Sequence, residues 1–457
     1  MRMNISQALI ESIPGLDVAT DTSTLETYGR DWTTLWPSNP SVVVWPRDVA
    51  QVQAVMRFAN ENGVAVVPSG GRTGLSGGAV AMNGEIVLSL EKLNKILSFN
   101  RVERTAMVQA GAVLQTVQEY AAERGLQFPI DLGARGSCTI GGNIATNAGG
   151  IRVLKYGNTR EWVASVTVVT AQGELIEFNR GLVKNSSGYD MRHLMVGSEG
   201  TLGVIVEAEL KFTDPLPESQ VMLIGLPDFE SVVTAFVELR QHLKLQAFEF
   251  FTDLALRHVI SHGAADPFDA QYPYYVVAEF DQDDDAAMAA FEQGMENGWI
   301  VDGALSASNE HKRKFWHLRE SITESIAPRK PYKNDIAIRI SRLPEFLQDA
   351  QALFDRNYPD FEVIWFGHIG DGNLHISILQ PESMGIADFA SHCSNATKEL
   401  ADVIQRHGGS ISAEHGIGLL KRDYLSSTRS DSEIALMRAT KAALDPAHIL
   451  NPGKIFV

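Results

Sequence analysis

The chain contains 457 residues, carries a formal net charge of -17 and has two cysteines, Cys138 and Cys393. This length exceeds what a single hydrophobic core usually supports, so we expect two or three domains. The negative charge excludes nucleic acid and anionic membrane surfaces as main partners, because both would be repelled. No apolar run reaches the ~18 residues that a membrane span requires. The first residues resemble neither a signal peptide nor a transit peptide, and two distant cysteines argue against a disulfide framework, so we expect a cytoplasmic protein.

The predicted elements begin with a helix over residues 5–13 and an extended segment that ends at Pro37. From residue 41 to residue 90 the predicted order is strand, helix over 49–62, strand, glycine loop and strand. Short strands separated by glycines continue to about residue 212. This pattern predicts an α+β domain whose backbone closely approaches a bulky group.

The proline-containing stretch 213–217 predicts a domain boundary. Beyond it, amphipathic helices over 229–243 and 286–297 alternate with strands. We expect a second, smaller α+β domain of four strands crossed by two helices. A helical segment over 386–444 follows, so the predicted division of the chain is 1–214, 215–385 and 386–457.

Two segments are unusually rich in glycine: PSGGRTGLSGG at 68–78 and DLGARGSCTIGGNIATNAGG at 131–150. Glycine permits positive φ and lets backbone N–H groups approach an anion closely. Each loop alone is compatible with ordinary turns, but together with SEGTLGVI at 198–205 the two loops favour a nucleotide that carries a pyrophosphate. The spacing of Gly197, Gly200 and Gly203 differs from G-x-G-x-x-G, and no P-loop motif occurs. NAD on a Rossmann fold and ATP on a P-loop are therefore disfavoured.

EVIWFGHIGDGNLHISIL at 362–379 predicts a β-hairpin, because Asp371-Gly372 favours a two-residue type I′ turn. That turn would place His368 directly opposite His375, with their Cβ atoms ~5 Å apart. SAEHGIG at 412–418 offers Glu414 as a third ligand. Two histidines, one carboxylate and an open position are typical of a catalytic zinc or manganese site. A pair of exposed strand histidines is the alternative interpretation.

His415 adjoins Glu414 in the same turn. Adjacent residues in a tight turn rarely reach one metal together, so His415 is instead a candidate general base for a hydroxyl proton. A capping or surface histidine is the alternative.

A cationic cluster occurs within 315–338. Arg319 and Thr323 are predicted to share one helical face at i, i+4, and Lys333 follows at the start of the next strand. In an acidic protein such a cluster suits an anionic substrate, and arginine binds a carboxylate bidentately. For Arg329 and Lys330, an ordinary solvated helix end is the favoured explanation.

The two glycine loops, the pair Tyr156-Gly157 and GYDMRHLMVGSEGTLGVI at 188–205 together resemble the vanillyl-alcohol-oxidase-type FAD domain. The resemblance implies that 68–78 wraps the pyrophosphate, that 137–146 lines the flavin ring and that Ile205 backs the adenine. The residues implied to contact FAD are Pro68, Ser69, Gly70, Gly71, Arg72, Thr73, Gly74, Leu75, Ser76, Gly77, Gly136, Ser137, Thr139, Ile140, Gly142, Asn143, Thr146, Ala148, Gly200, Ile205 and Asn451. Some relatives link the flavin covalently through a histidine in the first loop. This chain has Gly71-Arg72-Thr73 there, so we expect non-covalent FAD.

The second half is similar to the C-terminal domain of the FAD-linked D-lactate, glycolate and D-2-hydroxyglutarate dehydrogenases, and most similar to the last group. The similar segments are AFEFF at 247–251, VDGALSAS at 301–308, LRESITE at 318–324, YKND at 332–335, GHIGDGNLH at 367–375 and SAEHGIG. The resemblance implies that a divalent metal, zinc in preference to manganese, is bound by His368, His375 and Glu414. It implies that His415 is the base and that the substrate's distal carboxylate is bound by Arg319, Thr323 and Lys333. Where that family commonly has asparagine, this chain has Ser377, which would contact the proximal carboxylate.

The resemblance as a whole implies an α+β fold: a two-subdomain FAD-binding domain, an α+β substrate- and metal-binding domain, and a helical C-terminal segment that completes the active site. The expected reaction is FAD-dependent, metal-assisted oxidation of a D-2-hydroxy acid to the 2-oxo acid. D-2-hydroxyglutarate is the favoured substrate, and D-lactate or glycolate is the alternative. The expected electron acceptor is an electron-transfer flavoprotein or a quinone-linked acceptor. The sequence leaves open an O₂-using flavin oxidase, a non-catalytic flavin-binding or metal-storage protein, and assembly as a homodimer.

Overall fold

The computed structural model describes residues 4–33 and 35–456, and the chain forms two compact units. The first unit comprises Met1–Gly150, Tyr156–Pro215 and Glu414–Val457, and the second comprises Ile151–Lys155 and Leu216–Ala413. This arrangement differs from the three-part division of the sequence, because residues 386–457 are shared between the two units. Their final portion joins the first unit, where Leu450 forms a parallel bridge with Val66 and the Lys454 ammonium donates to the Val80 carbonyl.

The first unit contains two sheets. Its strands are β1 (Asp17–Ala19), β2 (Val42–Trp45), β3 (Val66–Ser69), β4 (Ile86–Ser89), β5 (Ile96–Asn100), β6 (Thr105–Gln109), β7 (Val163–Val169), β8 (Leu175–Phe178) and β9 (Val204–Lys211). The four-stranded sheet has the order β1-β2-β4-β3, in which β2, β4 and β3 are parallel and β1 is antiparallel. The five-stranded sheet has the order β5-β6-β9-β7-β8 and is antiparallel.

Short helices accompany these sheets. They are α1 (Ile5–Ser12), α2 (Thr22–Tyr28), α3 (Val49–Asn62), α4 (Leu114–Ala122), α5 (Ile140–Thr146), α6 (Val153–Tyr156), α7 (Thr159–Trp162) and α8 (Arg192–Met195). The predicted helix over 49–62 is confirmed as α3. It begins where the Asp48 side chain accepts from the Gln51 N–H and ends at Gly63, which has φ +62°. Its apolar face, including Val52 and Val55, is fully buried in the core of this unit.

The second unit is built on one antiparallel sheet. Its strands are β10 (Ser219–Leu226), β11 (Leu245–Thr252), β12 (Tyr274–Asp281), β13 (Asp302–Leu305), β14 (Tyr332–Ala337), β15 (Glu362–Gly367) and β16 (Asn373–Leu379). The sheet has seven strands in the order β13-β10-β12-β11-β15-β16-β14. The prediction of a second, smaller α+β domain is confirmed, because this unit spans fewer residues than the first, but the predicted number of four strands is wrong. Strands β10 and β11 were not predicted.

Helices cover both faces of this sheet. They are α9 (Phe229–His242), α10 (Asp253–Ser261), α11 (Asp284–Glu296), α12 (Asn309–Glu320), α13 (Ile322–Ser325), α14 (Leu343–Asn357) and α15 (Ile386–Arg406). One core cluster contains Phe251, Tyr275 and Phe366 from the sheet together with Phe315 and Trp316 from α12. This cluster packs α12, whose last turn carries Arg319, against the sheet.

The last helix of the chain, α16 (Asp431–Leu444), belongs to the first unit. The Lys441 ammonium there is buried and contacts the Asp445 carboxylate and the carbonyls of Thr201 and Leu450. Asp445 in turn accepts from two backbone N–H groups, those of Ile449 and Leu450. This pair anchors the C-terminal segment. Within residues 4–33 and 35–456, no helix is both long enough and apolar enough to cross a membrane.

We predict that Asp445→Ala destabilises the protein by ~3–5 kcal/mol, because it leaves a buried ammonium without its counter-charge. The measurement is equilibrium urea unfolding followed by circular dichroism. Glu310→Ala is the matched control, since it removes the acid of another i, i+4 pair, with Lys314, whose two side chains are each 70% exposed. That variant should unfold at the wild-type urea concentration. Equal unfolding midpoints for the two variants would contradict the prediction.

Candidate functional site

The two glycine loops predicted from the sequence contact each other in the first unit. A Cβ added at Gly70 would lie 2.4 Å from the Thr139 hydroxyl oxygen, and one added at Gly71 would lie 2.0 Å from the Ser137 carbonyl oxygen. Neither separation is tolerated between non-bonded atoms. The glycines are therefore required for the loops to pack together, whatever ligand they hold.

Other residues of the predicted flavin site surround this contact. A Cβ at Gly200, which has φ +70°, would lie 3.3 Å from Pro68, so the 198–205 segment packs against the start of the first loop. The Asn451 side-chain amide donates to the carbonyls of Gly78 and Glu199, at 2.8 and 2.7 Å. The second loop continues into α5, which carries Ile140, Gly142, Asn143 and Thr146. The structure thus brings both loops, the 198–205 segment and the C-terminal asparagine together within one unit.

Four polar side-chain atoms in this region are buried without a hydrogen-bond partner in the part of the chain that the structure describes. They are Ser69 Oγ, Thr139 Oγ1, Asn143 Nδ2 and Asn451 Oδ1. Buried polar atoms in proteins nearly always have partners. A region that combines close backbone approach with unpaired donors and acceptors fits a polar ligand such as a dinucleotide, and the residues present therefore fit FAD.

A half-buried glutamate that the sequence analysis did not assign, Glu199, holds the turn containing His415. The Glu199 carboxylate accepts from the backbone N–H groups of Ile417 and Gly418, each at 2.8 Å. Burial raises the pKa of Glu199, and the two N–H donors act in the opposite direction. Glu199 itself adopts φ +50°, a strained conformation for a residue other than glycine. In the sequence, Glu199 could have been singled out as an acidic residue between Gly197 and Gly200, in a segment that was already expected to contact a ligand.

In the second unit, the hairpin that carries the two histidines is formed, but not with the predicted turn. Phe366, and not His368, lies opposite His375. The connection is a 3-10 helix, Ile369–Asp371, followed by Gly372 at φ +84°. A type I′ turn needs positive φ at both central residues, and Asp371 does not adopt it, so the predicted direct pairing of the histidines is wrong.

The two imidazoles nevertheless lie close together. Their ring centroids are 5.3 Å apart with an interplanar angle of 80°. His368 is buried, and the side chain of His375 is 15% exposed. The alternative of two exposed strand histidines is therefore wrong.

The described residues contain a group of four side chains that could hold a metal ion. Asp335 Oδ2 accepts from the backbone N–H of Ala413 at 3.2 Å, and Glu414 and His415 are the next two residues of the chain. One ligand atom from each of Asp335, His375, Glu414 and His415 lies within 4.8 Å of the others. Two imidazoles and two carboxylates are a suitable donor set for zinc or manganese. Of the predicted ligands this group includes His375 and Glu414. His368 is not one of its four members, but its ring contacts that of His375.

His368 and Arg319 share one buried carboxylate. Glu249 Oε1 lies 2.8 Å from His368 Nδ1, and Glu249 Oε2 lies 2.9 Å from Arg319 Nη2. The side chain of Glu249 is 2% exposed. Burial raises the pKa of Glu249, but the charges of His368 and Arg319 and their hydrogen bonds outweigh it and hold that pKa below its ordinary value. The sequence analysis did not assign Glu249, although an acidic residue inside the apolar run AFEFF indicates a buried partner.

The three residues predicted to bind the distal carboxylate of the substrate, Arg319, Thr323 and Lys333, differ in exposure. Arg319 is buried at the end of α12, whereas Thr323 is exposed on α13, because the helix is divided at Ser321. The prediction that Arg319 and Thr323 share one continuous helical face is wrong. Lys333 is exposed at the edge strand β14, and partial desolvation of its ammonium lowers its pKa. Buried Ser377 lies directly opposite Lys333 in the strand register.

Comparison with known proteins gives consistent assignments for both halves of the chain. Residues 40–179 match the family described as FAD binding domain, and residues 216–455 match the family described as FAD linked oxidases, C-terminal domain. A D-2-hydroxyglutarate dehydrogenase of Xanthomonas citri pv. viticola is 60% identical over 453 residues, which cover 98% of this chain and 96% of that relative. A D-2-hydroxyglutarate dehydrogenase of Stutzerimonas stutzeri is 46% identical over 458 residues, which cover 98% and 99%. The structure of 4-ethylphenol oxidase from Gulosibacter chungangensis has a TM-score of 0.76 at 16% identity and covers 100% of this chain and 98% of that one, a likeness of fold.

The fold and the two paired glycine loops define a flavin-dependent oxidoreductase of the vanillyl-alcohol-oxidase type, as the sequence motifs predicted. The second half places it among the FAD-linked oxidases. Within this class the chain belongs to the D-2-hydroxyglutarate dehydrogenase family.

We predict that Gly71→Ala removes most of the bound FAD, because the added methyl group would force the two loops apart. Gly133→Ala is the matched control in the second loop, since nothing lies within 4 Å of a Cβ at that glycine. The measurement is the ratio of flavin to protein absorbance after purification, with circular dichroism to verify folding. Wild-type flavin content in the Gly71 variant would contradict the prediction.

Proposed function

We propose that this protein oxidises D-2-hydroxyglutarate to 2-oxoglutarate with non-covalent FAD and a divalent metal, zinc in preference to manganese. The observation that carries this proposal is the near full-length identity of 60% to a D-2-hydroxyglutarate dehydrogenase. The expectation of dissociable FAD rests on the first loop, in which Gly71, Arg72 and Thr73 offer no histidine for a covalent link.

The proposed metal ligands are His368, His375 and Glu414. The proximity of the two imidazoles and the presence of His375 and Glu414 in a four-residue donor group support this assignment. A bound divalent cation would act as a Lewis acid toward a hydroxyl and a carboxylate oxygen. Asp335 is buried beside His375 and accepts from Asn373 and from the Ala413 backbone. It is therefore suited to orient His375.

His415 is the proposed base. Its imidazole would take the proton of the substrate's α-hydroxyl. Bound FAD would supply the acceptor for the hydride from Cα, which leaves the 2-oxo acid as product. Glu199 fixes the turn that carries His415 through the N–H groups of Ile417 and Gly418. A base on a fixed turn can be held within hydrogen-bond distance of one substrate oxygen.

Arg319, Thr323 and Lys333 are proposed to bind the distal carboxylate. The Arg319 Nε group is buried and finds no hydrogen-bond partner within residues 4–33 and 35–456. A substrate carboxylate would satisfy such a donor. Lys333 offers an exposed ammonium, and Ser377, opposite it in the register, is proposed to contact the proximal carboxylate. The proposed electron acceptor is an electron-transfer flavoprotein or a quinone-linked acceptor.

Removal of the metal should abolish turnover while FAD remains bound, because the proposed metal ligands and the flavin loops are different segments. His375→Ala should reproduce the chelated state, and His392→Ala, at an exposed histidine of α15, should retain wild-type activity. The measurements are dye reduction under anaerobic conditions, metal content and the flavin spectrum. Full activity after metal analysis has verified removal would refute the metal-dependent mechanism.

The preference for D-2-hydroxyglutarate over D-lactate tests the proposed binding of the distal carboxylate by Arg319, Thr323 and Lys333. D-2-hydroxyglutarate should exceed D-lactate in kcat/KM by roughly tenfold to a hundredfold, because D-lactate lacks the second carboxylate and a charge-assisted hydrogen bond contributes about 1.5–3 kcal/mol. Lys333→Ala should lower kcat/KM for D-2-hydroxyglutarate by about tenfold and leave D-lactate nearly unchanged. Lys398→Ala, at an exposed lysine of α15, is the control. If D-lactate is used as well as D-2-hydroxyglutarate, a D-lactate dehydrogenase is the better assignment.

A further inference from the structure

Five side chains of the second unit, one of which is Glu249, form a closed ring of contacts. Glu249 contacts His368 and Arg319, and the Arg319 guanidinium lies 4.9 Å from the centre of the Phe366 ring. The Phe366 ring centroid lies 5.1 Å from that of His375, and the His375 centroid lies 5.3 Å from that of His368. One buried carboxylate therefore joins an imidazole proposed to bind metal to a guanidinium proposed to bind substrate.

We propose that Glu249 is a positioning residue that fixes His368 as a metal ligand and Arg319 as a carboxylate ligand at the same time. Metal affinity and preference for a dicarboxylate substrate would then depend on one side chain that contacts neither the metal nor the substrate. This inference rests on the proposed function, because the tasks of His368 and Arg319 are taken from it.

The first step concerns the imidazole. An ionised carboxylate only accepts hydrogen bonds, so the His368 nitrogen that faces it, Nδ1, must carry the proton. In the neutral ring the lone pair then lies on Nε2, the nitrogen available to a metal. The contact that fixes this tautomer is the 2.8 Å separation between Glu249 Oε1 and His368 Nδ1.

The second step concerns the guanidinium. Arg319 is only 7% exposed, and an unpaired buried charge is strongly unfavourable. Glu249 supplies the counter-charge on one side, and the Phe366 ring covers the guanidinium plane. The plane is thus fixed, which favours bidentate binding of a planar carboxylate by the remaining N–H groups.

The third step is the comparison with Glu279, a second buried glutamate on the neighbouring strand β12. Its carboxylate lies 3.0 Å from Arg152 Nη1 and accepts from Trp316 Nε1 at 2.8 Å. Both glutamates are 2% exposed in their side chains and both pair with arginine. In the part of the chain that the structure describes, the side-chain partners of Glu279 are Arg152, Trp316, Ser219 and Lys312, none of which is proposed to bind metal or substrate. It is therefore a matched control for the structural effect of neutralising a buried glutamate.

The experiment compares Glu249→Gln with Glu279→Gln in the full-length, FAD-containing protein. The zinc Kd is measured by competition with a chromogenic chelator, and kcat/KM for D-2-hydroxyglutarate and D-lactate is measured at saturating metal. For Glu249→Gln we expect the zinc Kd to rise by about 10–100-fold. We also expect the preference for D-2-hydroxyglutarate to fall by roughly tenfold, because a neutral amide lacks the negative charge that pairs with both His368 and Arg319. Glu279→Gln should retain the wild-type Kd and preference, even if its thermal stability falls.

Wild-type Kd and preference in Glu249→Gln would overturn the inference, as would equal losses in the two variants. Failure of the proposed function is recognised separately, because the wild-type protein would then bind no zinc or show no preference for the dicarboxylate. If Glu249→Gln does not fold, Glu249→Asp provides the test. It keeps the charge but is one methylene shorter, so it should weaken zinc binding and lower the preference while FAD content stays at the wild-type level. An unchanged Kd and preference in that variant would overturn the inference equally.

Discussion

The buried carboxylate of Glu249 constrains more of the second unit than its size suggests. A carboxylate removed from water is unfavourable by several kcal/mol unless cationic or donor groups surround it in good geometry. Here those groups come from distant parts of the chain, His368 after strand β15 and Arg319 at the end of helix α12. Because neither partner can move without leaving the charge uncompensated, the hairpin, the helix and the sheet are held in one arrangement. The aromatic ring of Phe366 extends this constraint to His375.

In the first unit, the segments of the site are positioned by close packing and not by a buried charge. Its two loops are positioned by the absence of side chains at Gly70 and Gly71, and the C-terminal asparagine and Glu199 then connect the loops to neighbouring segments. Close backbone approach leaves several buried polar atoms without protein partners, a pattern expected where a polar ligand completes the packing. In the second unit, the charge of Glu249 requires cationic neighbours. In the first unit, the lack of side chains at Gly70 and Gly71 allows the two loops to pack together.

Sequence reasoning succeeded where the signal was local. Helix α3 was predicted with its observed limits, because Asp48 and Gly63 mark its ends and apolar residues recur along one face. The glycine loops were found because glycine content is visible without knowledge of the fold. The contact between Gly71 and Ser137 was not predicted, because glycine content does not show which loops meet in the fold.

The failures concern partners that are distant in sequence. The hairpin register depended on whether Asp371 adopts positive φ, which tertiary packing and not the dipeptide decides. Glu249 and Asp335 appeared as isolated acidic residues, since nothing in one sequence indicates which cation each will meet. Arg319 and Thr323 were separated by a break at Ser321 that their spacing did not reveal.

The chain order of the first unit has a consequence for how it is synthesised. Val66 forms its bridge with Leu450, and the Lys454 ammonium reaches the Val80 carbonyl across 374 residues of sequence. During translation, strand β3 therefore lacks its contact with Leu450 until the whole second unit has been synthesised. Contacts of such long range close late and slowly. The first unit therefore cannot be completed until residues 450–454 have been synthesised, and the edge of β3 lacks its contact with Leu450 in the meantime.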